Sequence, residues 1–295
     1  MTRTRHPGGA CRGRRRAGGA GAASGGGGRL KVPPLTWLYV PADRPDRVAK
    51  AIASRAHAVI VDLEDGVAPH AKEGARAALP DLLEDVGAKP VFVRVNAGDA
   101  EDLAAVEGLQ LAGVVVPKVA LPEDVPASGH SIHCLIESAA GVEAAFAIAS
   151  VPGVAGISLG EADLRSETGA SEEGLGWPRA RVVNAAVAAG LPRPPQSVFP
   201  NVRDLDGLAR SCARGRSVGH LGRTAIHPEQ LEVIERAYLP TAEEVKLARE
   251  TVDRLEASGG ASALEGGELV DDAMLGNARL TLLLAERYGT AGARA

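Results

Sequence analysis

Short apolar runs that end in a charged or hydrogen-bonding residue recur along the chain, and these ends hold nearly all of its candidate chemistry. Val59-Ile60-Val61 runs into Asp62-Leu63-Glu64-Asp65, and further runs end in Arg94-Val95-Asn96, Pro117-Lys118, Glu137, Glu161-Ala162-Asp163 and His227. Glu137 follows Leu135-Ile136, and Asp163 follows Gly156-Ile157-Ser158-Leu159-Gly160, so each carboxylate emerges from a buried run. Two carboxylates converging on one mouth repel and lose hydration unless a cation or protons compensate them. An all-oxygen pair that leaves its other positions to water and substrate suits Mg2+ better than a zinc or calcium cage, with Mn2+ as a substitute. The competing reading makes Glu137 and Asp163 helix caps or partners of Arg165 and Arg94. Arg94 offers a planar fork for an α-keto carboxylate, or else a buried ion pair with Glu64 or Asp65. Asp62, Glu64 and Asp65 are too many acids for one role at one strand end, so at least one is structural.

The elements that would position these groups follow from the alternation of β-rich runs with Ala-, Leu- and Glu-rich stretches of helical period, which predicts a parallel sheet with crossover helices. Eight strands are expected, at 36–41, 58–65, 91–96, 111–118, 131–137, 154–163, 195–200 and 222–228. Eight such units suit an α/β fold of the (β/α)8 TIM-barrel type, whose chemistry sits at the C-terminal strand ends. No GxGxxG follows the first strand, which disfavours an open nucleotide-binding sheet. Residues 242–257 and 272–287 read as two further helices, so residues 35–240 are expected to form the barrel and 241–295 a C-terminal helical extension or lid.

The chain has 295 residues, 45% of them hydrophobic, enough for a large core. Its first 29 residues carry seven Arg and no acid among Gly and Ala, and residues 1–34 are expected to be a disordered tail rather than a secretory leader. Without those seven, 26 basic residues face 37 acidic ones, a net charge of −11 that argues against a nucleic-acid partner. Charges or glycines interrupt every hydrophobic stretch, so no membrane span is expected. Cys11, Cys134 and Cys212 lie far apart without CxxC spacing, which fits a reducing cytoplasm.

In combination the motifs are more specific. Leu38-Tyr39-Val40-Pro41 with Arg44-Pro45, then Asp62-Leu63-Glu64-Asp65-Gly66-Val67-Ala68-Pro69, Arg94-Val95-Asn96, Pro117-Lys118, Ile136-Glu137-Ser138 and Ile226-His227-Pro228 follow in one order. The chain resembles the citrate lyase beta-subunit-like family, within the HpcH/HpaI aldolase/citrate lyase superfamily of CoA-ester lyases, over roughly residues 35–288. The resemblance implies a (β/α)8 barrel, bound Mg2+, a trimer or hexamer, and cleavage of a 3-hydroxyacyl-CoA thioester. It implies Arg94 as a substrate-binding and catalytic residue, Glu137 and Asp163 as metal ligands with Glu137 also at the substrate, and Arg44, Arg47 and Lys50 as the basic cluster for CoA. Asp271, in Leu269-Val270-Asp271, matches an acid that relatives donate from a neighbouring subunit's lid as general acid or base; its alternative role is a cap of the last helix. His227 is a rival base.

Two segments depart from the family pattern: Arg193-Pro194-Pro195-Gln196-Ser197, where an Asp is common, and Gly219-His220-Leu221-Gly222-Arg223, in place of Gly-Phe-Asp-Gly-Lys. The expected activity is cleavage of a citryl-, malyl- or citramalyl-CoA type thioester to an acyl thioester and an α-keto acid. A class II pyruvate aldolase acting on a free acid, and a non-catalytic subunit, are the alternatives.

Overall fold

A computed structural model describes residues 32–258, 262–263 and 269–291, so the expectation for the Gly/Arg-rich tail lies almost wholly outside the described residues. Strands and helices alternate: β1 (Thr36–Pro41), α1 (Pro45–Ala53), β2 (Ala58–Asp62), α2 (Lys72–Leu82), β3 (Val91–Arg94), α3 (Ala100–Val106), β4 (Gly113–Val116) and β5 (Ile132–Ile136). There follow α4 (Ala139–Ala149), β6 (Val154–Leu159), α5 (Glu161–Thr168), α6 (Gly176–Ala188), α7 (Leu205–Val218), β7 (Arg223–Ala225) and α8 (Gln230–Tyr238). The chain ends in α9 (Ala242–Ser258), a two-stranded antiparallel pair of β8 (Ser262–Ala263) and β9 (Leu269–Val270), and α10 (Asp272–Tyr288).

The seven longer-range strands form one parallel sheet in the order β6-β5-β4-β3-β2-β1-β7. Both faces of these strands are covered, and β2, β4 and β5 are buried at every residue, as expected of parallel strands packed between layers. The period of two divides the side chains between two cores. Leu38, Val40, Val59, Val61, Val93, Val114, Cys134 and Ile136 join the large core under the helices. Trp37, Ala58, Ile60, Val115 and Leu135 gather with Tyr39 and Phe92 in a small cluster on the other face, where the sheet curls inward. Trp37 lies 4.8 Å from the Phe92 ring and 5.5 Å from that of His133, closing the floor of this concave face.

The strand expected at 195–200 is corrected to an irregular segment with a single bridge, Gln196 to Arg223. Gln196 donates its N–H to Gly222 O at 2.9 Å and accepts from Thr224 N–H at 3.0 Å, so the segment follows β7 for two hydrogen bonds. Pro194, Pro195 and Pro200 bring no N–H to a ladder, which limits pairing. A buried side-chain network holds the segment instead: the Gln196 carboxamide accepts from Tyr238 Oη at 2.6 Å and donates to Ser211 O at 3.2 Å, and Arg223 Nη1 donates to Ser211 Oγ at 2.9 Å. The sheet therefore has seven strands, curled so that the ends of β6 and β7 face a common cavity.

Other strands are shorter than expected because polar residues leave the ladder at once. β2 stops at Asp62 and β3 at Arg94, and β6 stops at Leu159, so that Asp163 lies in the first turn of α5 rather than on a strand. The two last helices occur where helical period placed them. Tyr288 at the end of α10 stacks on His57 at 3.9 Å and donates to Pro33 O at 3.3 Å, tying the C-terminus to the start of β1. Among the described residues no helix is long and apolar enough to cross a membrane.

Gly222 enters β7 at φ +87°, and a Cβ there would stand 2.5 Å from Leu35 O, on the chain entering β1. Gly222→Ala is expected to cost about 2 kcal/mol or more of unfolding free energy, read from chemical denaturation. A loss below about 0.5 kcal/mol, the scale of a neutral surface change, would show that the β1–β7 approach tolerates a side chain.

Candidate active site

The inward parity that fills the small cluster continues upward into the polar residues. Asp62 pairs in register with Arg94 across β2 and β3, so the two side chains stand side by side on the concave face. Arg94 Nε donates to Asp62 Oδ1 and Nη2 to Oδ2, both at 2.7 Å, while Nη1 lies 2.7 Å from Glu64 Oε2. The guanidinium also covers the Tyr39 ring at 4.9 Å. Burial disfavours the Arg94 charge, but the hydrogen bonds and charge of Asp62 override it and raise its pKa, fixing it as a cation. The ion-pair reading of Arg94 is thus correct in kind, with Asp62 and Glu64 as partners. The guanidinium still lines the cavity with its remaining N–H groups.

The three acids after β2 have separate roles. Asp62 accepts from Glu64 N–H at 3.0 Å and Gly66 N–H at 2.9 Å, folding the chain over itself, and is the structural member. Glu64 bridges Arg94 to Lys118 Nζ at 3.0 Å; its burial raises its pKa against the pull of both cations. Asp65 is exposed and faces the cavity.

Glu137 stands one residue beyond β5 and is 7% exposed. Its Oε2 accepts the backbone N–H of Lys118 at 2.8 Å. Lys118 is the one non-glycine residue with positive φ among those described, at 58°, and this turn aims its N–H at Glu137 while its side chain reaches Glu64. Gly160 supplies room on the other side, since a Cβ there would meet Glu137 Oε1 at 2.4 Å. Burial lifts the Glu137 pKa to about 7, the Lys118 hydrogen bond opposes this, and Glu64 and Asp163 add to the rise. Glu137 and Asp163 are therefore close enough for their charges to interact, although one follows a strand and the other begins a helix. Glu161 is excluded from this pair, because Arg179 Nε and Nη2 donate to its two oxygens at 2.7 Å each.

Arg94, Glu137, Asp163 and Arg47 all line one cavity of about 440 Å³, with Tyr39, Ser158 and Thr224. Gln196 and Ser197, from the segment that departs from the family pattern, line the cavity, and so does Ser158, which motif reasoning passed over; the inward parity of β6 was its signal, and its Oγ bonds His133 Nε2 at 2.9 Å. Arg44, Arg47 and Lys50 line a second cavity of about 540 Å³ at the β1–α1 junction. Arg47, Tyr39, Val40, Pro41 and Ile226 belong to both cavities, so the spaces adjoin. Among the described residues Arg44 and Lys50 reach only Asp46, at 3.8 and 3.9 Å, and remain available to an anion. His227 lies in the second cavity, away from the carboxylates. Asp271 is exposed between β9 and α10, accepts from Met274 N–H through its carbonyl at 3.0 Å, and does not line the cavity of its own chain.

Among the described residues no group of three or more His, Cys, Asp and Glu is placed to hold a metal, which leaves the two-carboxylate arrangement as the candidate cation site. The donor set fits a hard cation. Both candidate donors are carboxylates, Glu137 is buried with a raised pKa and, among the described residues, no ion-pair partner, and the absence of a Cβ at Gly160 leaves room at its Oε1.

Known proteins resemble this chain in sequence and in fold. The model of the HpcH/HpaI aldolase/citrate lyase family matches residues 35–228. A (3S)-malyl-CoA thioesterase of Cereibacter sphaeroides is 34% identical over 87% of this chain and 96% of its own. A citrate lyase subunit beta-like protein of Mycobacterium tuberculosis is 34% identical over 83% of this chain and 93% of its own. The solved structure of CitE from Mycobacterium tuberculosis, in complex with magnesium, acetoacetate and coenzyme A, superposes with a TM-score of 0.71 at 33% identity, covering 86% of this chain and 98% of that one. The family match spans Arg94, Glu137 and Asp163, each relative covers more than four fifths of this chain, and the chain belongs to the HpcH/HpaI aldolase/citrate lyase family.

Proposed function

We propose that this chain is a Mg2+-dependent carbon–carbon lyase that splits a 3-hydroxyacyl-CoA thioester of the malyl-, citramalyl- or citryl-CoA type into an acyl-CoA and an α-keto acid. The observation that carries the reading is the joining of two cavities at Arg47, one holding Glu137, Asp163 and Arg94 and the other a basic cluster. A ligand with a carboxylate at one end and phosphates at the other matches that charge pattern. A free hydroxy-keto acid would leave the second cavity without a purpose. The bound magnesium of the CitE complex supports Glu137 and Asp163 as the residues that hold Mg2+ or Mn2+. The segment at 195–200 acts as the eighth stave of a (β/α)8 barrel, since it is anchored to β7 and Ser197 Oγ accepts from Glu161 N–H at 3.3 Å.

The cation, when bound, supplies positive charge to the oxygens of the substrate's hydroxyl and carboxylate. Arg94 binds the same carboxylate; its attachment to Asp62 and Glu64 orients the fork before substrate arrives, so little ordering is needed on binding. Arg44, Arg47 and Lys50 hold the CoA phosphates. The 3-hydroxyl gives up its proton, the C2–C3 bond breaks, and the acyl thioester enolate takes a proton at C2. We assign the proton transfer to Asp271 of a neighbouring subunit in a trimer or hexamer, a reading supported by the position of Asp271 outside its own cavity. Hydrolysis of the thioester is the second reading, favoured by the thioesterase among the relatives.

Incubation with Mg2+ and malyl-, citramalyl- or citryl-CoA, with products identified by mass, separates these readings. Acyl-CoA and an α-keto acid are expected; free CoA with an intact hydroxy acid would replace the lyase by a thioesterase, and turnover of free hydroxy-keto acids alone would make it an aldolase.

Sharing of the site has its own consequence. Asp271→Ala is expected to bind substrate yet turn over at least about 10²-fold more slowly. Mixed oligomers of Asp271→Ala and Arg94→Ala chains should regain activity, because some sites then contain both residues. Mixed oligomers no more active than either parent would return Asp271 to a cap of α10.

Glu137 also gives a pH dependence of stability without cation. Its folded pKa near 7 lies above the ordinary carboxylate value, so its contribution favours the fold at low pH and is lost as pH rises from about 4.5 to about 7. In chelator, the wild type should lose more melting temperature than Glu137→Gln between pH 5 and pH 8, and Mg2+ should restore it. Equal losses in the two chains would show that the Glu137 charge carries no penalty.

A further inference from the structure

Tyr39 stands where the two cavities of the site join, since it lines both of them. It lies on the inward parity of β1, two residues beyond Trp37, and its ring packs on the small inner cluster and is covered by the Arg94 guanidinium. The sequence holds three tyrosines. Tyr238 Oη donates to Gln196 Oε1 at 2.6 Å and Tyr288 Oη to Pro33 O at 3.3 Å, as phenols set within a fold ordinarily do. Tyr39 Oη has no hydrogen-bond partner among the described residues, and it keeps surface open to the cavity.

The other hydroxyls of the carboxylate cavity have partners within the protein. Thr224 Oγ1 donates to Gln196 O at 3.1 Å, Ser158 Oγ bonds His133 Nε2 at 2.9 Å, and Ser197 Oγ accepts from Glu161 N–H at 3.3 Å. None of these three lines the basic cavity. Burial pushes the Tyr39 pKa well above the ordinary phenol range; the Arg94 charge opposes this, and Asp62, Glu137 and Glu64 add to the rise. The phenol therefore keeps its proton at neutral pH, and the cation on its ring leaves the O–H more acidic than burial alone would.

A hydroxyacyl-CoA has its thioester carbonyl between the carboxylate end, which Arg94 takes, and the phosphate end, which the basic cavity takes. Tyr39 occupies that intermediate position. We propose that Tyr39 is a catalytic residue whose phenol O–H donates to the thioester carbonyl oxygen. As the 3-hydroxyl loses its proton, its C3–O bond becomes a carbonyl and C2–C3 breaks. The electron pair of that bond passes through C2 to the thioester oxygen, giving the enolate. Tyr39 stabilises the charge on that oxygen and keeps its own proton, and the enolate is then protonated at C2. A donor fixed in place before such charge develops contributes about 10²–10³-fold to turnover. The inference rests on the lyase reading, which supplies the carbonyl.

The full chain and its Tyr39→Phe variant would be titrated by calorimetry, with Mg2+ present, with acetyl-CoA and with S-ethyl-CoA, a thioether without the carbonyl oxygen. Wild type should prefer acetyl-CoA, and Tyr39→Phe should cut that preference about threefold or more by weakening acetyl-CoA alone, the scale of one lost hydrogen bond. On whichever of malyl-, citramalyl- or citryl-CoA is cleaved, Tyr39→Phe should lower kcat about 10²-fold and move KM by less than about threefold, the split expected of a contact made chiefly as charge develops. Its melting temperature should match the wild type, since the hydroxyl bonds nothing in the protein. A wild-type chain that binds neither compound would overturn the lyase reading and this inference with it. Binding of both, with preference and kcat unchanged in Tyr39→Phe, would overturn the role of Tyr39 alone. Equal weakening of both compounds together with a clear fall in melting temperature would make Tyr39 a structural residue and overturn it too.

Discussion

The mouth of the sheet depends on the ion cluster of Arg94 with Asp62 and Glu64. Arg94 is a largely enclosed cation, and its fork is matched by a carboxylate delivered in register from the adjacent strand. Breaking such a pair by removing one partner costs about 3–5 kcal/mol, because the other charge stays buried alone. The cluster also controls its surroundings. With Asp62 and Glu64 occupying much of the Arg94 fork, and Lys118 Nζ committed to Glu64, neither cation neutralises Glu137 through a direct ion pair. Glu137 is left buried, coupled to Asp163 and short of positive charge. In the reading proposed above, a site that keeps its own cations occupied in this way retains an affinity for an external one.

The same alternation that builds the core delivers these groups. On β5 the inward positions are His133 and Leu135, with Glu137 following, and β6 answers them with Gly156, Ser158 and Gly160. Bulky groups on one strand face small ones on the next, so His133 and Glu137 occupy space that a Cβ at Gly156 or Gly160 would fill. The floor is aromatic and the rim charged. That gradient lets one concave surface exclude water below and hold a polar ligand above.

Much of this was legible in the sequence because apolar runs ending in acids state both a strand and its exit. Seven of the eight expected strands, the last two helices, and the meeting of Arg94, Glu137 and Asp163 at one cavity follow from that pattern. What was not legible depends on geometry between elements. The segment at 195–200 reads as apolar and extended, but three prolines in and beside it deprive it of ladder hydrogen bonds, and it is held by Gln196, Tyr238 and Arg223 instead. Asp163 looks like a strand end because Gly160 conceals the turn into α5. The division of roles among Asp62, Glu64 and Asp65 needed the register with Arg94, and the Lys118 backbone turn has no signature in residue type.

The central claim is that Glu137 and Asp163 form one divalent-cation site while Arg94 stays committed to Asp62 and Glu64. The most direct measurement is a titration of the full-length protein with Mn2+ in place of Mg2+, counting bound and free ion by electron paramagnetic resonance. One ion per chain is expected, displaced by Mg2+, with affinity reduced at least about tenfold in both Glu137→Gln and Asp163→Asn, the scale of one lost charged ligand. Wild-type affinity in either variant, or the absence of any Mn2+ bound to the wild-type chain, would contradict the account.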